Sequence, residues 1–176
     1  RLLSQGYQEM KFLSQERSGF HIMESLRKLQ TDYIDLMLLH QAFSDYYGAW
    51  KALEELYDQG ILKAIGISNF YSDRVIDLCA FSRIKPMVNQ IELHPFYQRK
   101  EDQKWLQKYN VQIEGWAPFA EGCCDIFSNP ILAEIGARYN KSIAQISLRW
   151  AIQRGVVVIP KSSSFEHIKE NFDIFD

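Results

Sequence analysis

Five short groups of residues in this 176-residue chain carry side chains suited to chemistry, and each closes an apolar run. They are His40, Ser68 with Asn69, Gln90 with Glu92, Trp116 with Ala117-Pro118, and Lys161 with Ser162. His40 is either a polar cap where a strand leaves the core or an imidazole placed to hydrogen-bond a ligand. Ser68, Asn69 and Gln90 together offer donors and acceptors, which suits a carboxamide that needs both; singly, each can satisfy loop backbone groups. Trp116 is either core or a flat face for another ring. Lys161, followed by Ser162, Ser163 and Ser164, places a cation, hydroxyls and backbone N–H groups before a helical pattern. Such a place can hold phosphate, and its plainer role is a capped helix start beside a solvated lysine.

The elements that must position these groups alternate. Short apolar runs at Tyr33–Leu39, Leu62–Ile67, Pro86–Ile91, Val111–Trp116 and Val156–Ile159 have the length and bounding residues of buried strands. Amphipathic stretches separate them. Ala49–Tyr57 turns Trp50, Leu53, Leu56 and Tyr57 to one face and stops at Gly60, and Ser72–Phe81 turns Val75, Ile76, Leu78 and Cys79 inward, with Ser72 expected as its cap. Glu101–Tyr109 reads as a short helix, and Pro130–Arg154 as two helices broken near Asn140-Lys141-Ser142, the second capped by Ser142. The first 30 residues are the least legible, although Met23–Leu29 reads as a helix end.

Strands alternating with helices pair in parallel, which allows an open doubly wound sheet or a (β/α)8 barrel. No G-x-G-x-x-G pattern follows any strand, which removes the main support for the open dinucleotide-binding sheet. Polar groups at the C-terminal ends of several strands favour the barrel. The expected fold class is therefore α/β, a (β/α)8 TIM barrel incomplete here, since five strands cannot close one. The first residue, Arg1 rather than Met, fits a chain whose N-terminal part is missing.

Composition bounds the function. Hydrophobic residues make up 47% and charged residues 24%, which is ordinary for a globular domain and excludes wholesale disorder. A net charge of −2 argues against a nucleic-acid partner, and no apolar run approaches the roughly 18 residues of a membrane span. The opening RLLSQGYQEM does not have the pattern of a secretory signal. Cys79, Cys123 and Cys124 form neither a disulfide framework nor a metal-binding spacing. They read as small buried hydrophobes in a reducing, cytoplasmic setting.

Longer stretches are more specific. SLRKLQTDYIDLMLLH, ILKAIGISNF, MVNQIELHPF, IEGWAPF and VVVIPKSSS followed by HIKEN together resemble the aldo-keto reductase family, of the prokaryotic NAD(P)H-dependent type, from Ser25 to Asn171. Residues 1–24 match it poorly. The resemblance implies a (β/α)8 barrel that reduces aldehydes or ketones with hydride from NADPH, or sometimes NADH, the five strands corresponding to about strands four to eight. It implies that His40 orients the substrate carbonyl, that Ser68, Asn69 and Gln90 hold the nicotinamide amide, and that Trp116, with Ala117 beside it, stacks on the nicotinamide ring. Lys161 and Ser162 match residues that bind the adenosine 2′-phosphate, and Glu170 and Asn171 match the adenine contact. Glu92, His94 and Pro95 match a family run read as a structural turn.

Two departures stand out. His40 is followed by Gln41-Ala42 where the family usually has Trp-Pro or Gln-Pro, which alters the pocket wall. His167 stands where the family usually has arginine, in His167-Ile168-Lys169-Glu170-Asn171. A mostly neutral imidazole offers fewer donors than a guanidinium, so NADPH preference weakens and NADH becomes admissible.

The family's general-acid tyrosine and its aspartate have no counterpart upstream of Tyr33. Lys11, followed by an apparently short helix, is a weak match to the family lysine, and Tyr7 has no supporting context. The expectation is thus an oxidoreductase fragment that by itself reduces carbonyls poorly or not at all. Two other readings are a noncatalytic nucleotide-binding or regulatory barrel protein and a truncated reading frame without a stable fold.

Overall fold

The computed structural model describes residues 2–3 and 15–175. Tyr7 and Lys11 lie outside the described residues. The chain divides into two compact units, Arg1–Gln90 with Asp102–Gln112, and Ile91–Glu101 with Ile113–Asp176.

In the first unit, strands and helices alternate: β1 (Leu2–Leu3), α1 (Gln15–Leu29), β2 (Leu36–Leu39), α2 (Tyr46–Asp58), β3 (Ile65–Ser68) and α3 (Ser72–Phe81), then β4 (Val88–Glu92) and α4 (Lys100–Lys108). β1 pairs with β2, β2 with β3 and β3 with β4, all in parallel. The register sets Leu38 opposite Gly66 and Ser68 opposite Gln90. Pairing also reaches Ile34 and Leu62, so the apolar runs of the sequence mark the paired segments well. β1 went unread because two residues carry no periodicity, and α1 is 15 residues long where a short helix was expected after Lys11.

Helix α2 sets the approach to β4. The Asp45 carboxylate caps it by accepting from the Gly48 N–H at 2.8 Å, and Gly60, at φ +72°, ends it, as only a left-handed residue readily can. From the buried face, the Trp50 indole N–H donates to the Ile84 carbonyl at 3.0 Å and the Glu54 carboxylate accepts from the Ile84 N–H at 2.7 Å. One peptide segment is thereby held at both its donor and its acceptor just before β4 begins.

The cap expected at Ser72 is absent. Ser72 is the first residue of α3, Tyr71 precedes it without a side-chain cap bond, and the Ser72 hydroxyl donates to the Asp102 carboxylate at 2.8 Å. A charged acceptor makes the stronger bond, and it drew the hydroxyl away from the backbone.

In the second unit β5 (Gln112–Trp116) and β6 (Val157–Val158) are parallel, with Gly115 opposite Val158. Its helices are α5 (Pro130–Tyr139), α6 (Ile143–Gln153) and α7 (Phe165–Phe172). The predicted break lies at Asn140, left-handed at φ +52°. Ser142 and Gln145 cap each other across the first turn of α6, at 3.3 and 2.8 Å. Gln145 and Lys141 also hold Asp173, at 2.7 Å to its carbonyl and 3.0 Å to its carboxylate.

Cys79 is buried as expected, and burial pushes its thiol pKa up. Cys123 and Cys124 are exposed, which corrects the expectation of buried hydrophobes. They lie between two single 3-10 turns, Ala120–Gly122 and Ile126–Ser128, and Cys124 and Asp125 are left-handed. Repeated turning of this kind runs over the surface.

Close approach of the strands is set by Gly66. A Cβ there would lie 2.7 Å from Leu38 Cδ2 and 2.8 Å from the Val88 carbonyl oxygen. Gly66→Ala is expected to cost about 1–3 kcal/mol through overpacking, read from urea unfolding midpoints; an unchanged midpoint would contradict the close approach.

Candidate functional site

Because β2, β3 and β4 run in parallel, their C-terminal ends lie side by side and bring four of the sequence-selected residues into one hydrogen-bonded group. His40 follows β2, Ser68 ends β3, Asn69 comes next, and Gln90 lies within β4. The Gln90 carbonyl accepts both from the Asn69 N–H at 2.9 Å and from the Ser68 hydroxyl at 3.0 Å. The Asn69 side-chain amide donates to Ser68 Oγ at 3.1 Å and to the His40 carbonyl at 3.3 Å. Ser68 is buried at 1% exposure, with its hydroxyl proton committed to Gln90. Asn69 and Gln90 are half-buried.

Asn69 is left-handed, at φ +58°, a conformation that asparagine tolerates better than most residues. The backbone there turns sharply out of β3 and lets one short side chain reach two strands. The half-buried side chains of Asn69 and Gln90 at this end are both amides, and the Asn69 NH2 is engaged by Ser68 Oγ and the His40 carbonyl. Amide groups of this kind are the chemistry that complements a carboxamide.

One neighbour of this group escaped the sequence reading. Asn89 is buried at 1% exposure, and its side-chain amide donates to the Phe70 carbonyl at 2.9 Å. Its signal was parity: Asn89 and Ile91 are the buried residues of β4, alternating with half-buried Val88, Gln90 and Glu92. A polar residue on the buried parity of a strand calls for a partner.

The other sequence-selected residues belong to the second unit. Trp116 ends β5, half-buried, and its carbonyl accepts from the Leu93 N–H at 3.2 Å; Ala117 follows, left-handed at φ +49°. Glu92 and His94 contact each other at 3.2 Å, and His94 and Tyr97 form a local bridge, as a structural turn requires. Lys161 is exposed and Ser162 half-buried. The Ser164 N–H donates to Ser162 Oγ at 3.1 Å, and Ser164 caps α7 by accepting from the His167 N–H at 3.5 Å. On α7, His167, Glu170 and Asn171 stand at i, i+3 and i+4 and so share one flank of the helix.

The model of the Aldo/keto reductase family matches residues 7–176. Over 154 residues the chain is 45% identical to glyoxal reductase of Bacillus subtilis (strain 168), covering 87% of this chain and 55% of the relative. The crystal structure of an aldo-keto reductase enzyme from a Medee basin deep-sea metagenome library superposes with a TM-score of 0.89 at 40% identity, covering 93% of this chain and 61% of that one. That of a Bombyx mori aldo-keto reductase in complex with NADP gives 0.86 at 30% identity, covering 93% and 59%.

The fold is therefore α/β, part of a TIM-type (β/α)8 barrel. The chain belongs to the aldo/keto reductase family, and it spans about half the length of the curated relative, 55%. Among the described residues no helix is long and apolar enough to cross a membrane.

Burial holds the His40 pKa below the ordinary histidine range, so the folded protein favours the neutral ring. As pH falls through about 6.5, the unfolded chain takes up this proton before the folded one does. Stability present at neutral pH is then lost toward the lower folded pKa. Urea midpoints at neutral and mildly acidic pH are expected to fall more for the wild type than for His40→Gln; equal falls would contradict it.

Proposed function

We propose that the protein is an NAD(P)H-dependent aldo-keto reductase reducing small aldehydes or ketones to alcohols. The observation that carries this reading is the hydrogen-bonded group of His40, Ser68, Asn69 and Gln90 at adjacent strand ends, in a chain of this family. When bound, a reduced nicotinamide supplies a hydride.

In this reading, the Asn69 and Gln90 side chains bind the carboxamide of the cofactor, with Ser68 buried beneath them as the residue that fixes Asn69. Trp116 offers a flat face to the nicotinamide ring, with Ala117 turning the chain beside it, which orients one side of the ring. His40 donates a hydrogen bond to the substrate carbonyl oxygen, and its neutral state favours a directed donor over a diffuse charge. Lys161 and Ser162 bind the 2′-phosphate of NADPH, while Glu170 and Asn171 contact the adenine. His167 in place of arginine leaves that phosphate less tightly held, so that NADH is also accepted. Glyoxal, the substrate in the name of the Bacillus subtilis relative, is a fitting test aldehyde. The proposed setting is cytoplasmic.

The family's general acid is a tyrosine paired with lysine and aspartate. We assign it to sequence beyond these 176 residues, in line with the 55% of the relative's length that the chain spans. The 176-residue chain is accordingly expected to bind reduced cofactor yet turn over glyoxal negligibly; an ordinary turnover rate would overturn that assignment.

Titration with NADPH and NADH, followed by tryptophan fluorescence, tests the cofactor reading, and no response to either overturns it. Lys161→Met is expected to weaken NADPH about tenfold, the scale of one charge-assisted hydrogen bond, with little effect on NADH. Equal weakening of both would remove Lys161 from the 2′-phosphate site.

A further inference from the structure

We infer that Asn89 is a positioning residue for the carboxamide-binding elbow at Ser68-Asn69, an inference that rests on the nicotinamide reading above. β4 grips this elbow twice, with consecutive residues. The Gln90 carbonyl holds the Asn69 N–H at 2.9 Å, and the Asn89 side-chain amide holds the Phe70 carbonyl at 2.9 Å. Left-handed Asn69 is thus fixed on both sides, at its own N–H and at the carbonyl of the following residue. A rotation of the Asn69 backbone would break one grip or the other.

The chemistry of Asn89 argues that this bond is why an amide stands there. The residue lies on the buried parity of β4, and the Phe70 side chain is itself buried. Its Oδ1 atom is buried and meets no hydrogen-bond partner among the described residues. Burying an acceptor without a partner costs stability, a cost borne here on the Oδ1 side alongside the bond that the Nδ2 side makes to the Phe70 carbonyl. The amide is therefore a poor choice for the core and a good one for holding a single backbone carbonyl. Sites that give up stability in this way tend to be functional. Phe70 then leads through Tyr71 into α3, so the same bond fixes the exit from the elbow.

The test separates this role from a merely structural one by comparing two ligands on the full chain. NADPH carries the carboxamide, whereas 2′-phospho-ADP-ribose shares the rest of the molecule and lacks the nicotinamide. Asn89→Leu removes the buried Oδ1 but also leaves the Phe70 carbonyl without its donor, so a change in thermal stability does not decide the matter and the comparison of the two ligands does. NADPH affinity is expected to fall about tenfold, the scale of a single hydrogen bond to the ligand, with that for 2′-phospho-ADP-ribose unchanged. A fall in both affinities together, or in neither, overturns the assignment.

Should Asn89→Leu fail to fold, the wild type decides. Its Asn89 side-chain amide signals, read by NMR, are expected to move with NADPH and stay in place with 2′-phospho-ADP-ribose; the same response to both overturns it. A wild type that binds 2′-phospho-ADP-ribose and NADPH equally shows instead that the nicotinamide reading has failed, and the assignment falls with it.

Discussion

The parallel register of β3 on β4 governs the first unit of this protein. Ser68 faces Gln90 across the ladder, and the ladder continues one residue past β3 through the Asn69 N–H. A strand slipped by one residue would turn every side chain to the opposite face. Ser68 would then lose its buried acceptor, and Asn89 would exchange its core position for that of Gln90. Gly66 secures the closeness that this register needs, since its missing side chain leaves room for Leu38 from β2 and the Val88 backbone of β4 to close in on it.

Support for the register comes from outside the sheet. Trp50 and Glu54 on α2 hold the carbonyl and the N–H of Ile84, in the successive peptide units on either side of its Cα, which fixes where the chain enters β4. A buried carboxylate and an indole are costly to bury unless bonded, and here each finds its partner in the same backbone segment. The helix thus fixes the start of the strand that carries Gln90. Polar positions at the strand ends inherit their precision from these backbone bonds, the side chains being too short to adjust far.

Much of this was legible in the sequence where the signal is local. The apolar runs, the break at Asn140 with the Ser142 cap, and the polar residues closing each strand all follow from patterns a few residues long. What was not legible depends on partners distant in the chain. Ser72 looked like a cap because its competitor, Asp102, lies 30 residues further on. The α2 start at Tyr46 was hidden by Gly48 in its first turn, although Asp45 was there to cap it. Asn89 stood inside a recognised motif and was passed over, because its burial only follows from which face of β4 meets the core. The exposure of Cys123 and Cys124 turned on left-handed residues that composition does not announce.

Those two adjacent thiols have a practical meaning. Cys79 is shielded and its thiol pKa is raised, so alkylating reagents and oxidants at neutral pH will reach Cys123 and Cys124 first. Neighbours in sequence rarely bridge each other, so oxidation in air favours covalent links between separate molecules. The segment after β5 is accordingly a natural attachment point for a maleimide dye. It is also a reason to keep reductant in every buffer: without it, a ladder of crosslinked species on a nonreducing gel would be a thiol artefact, and no guide to how the native protein assembles.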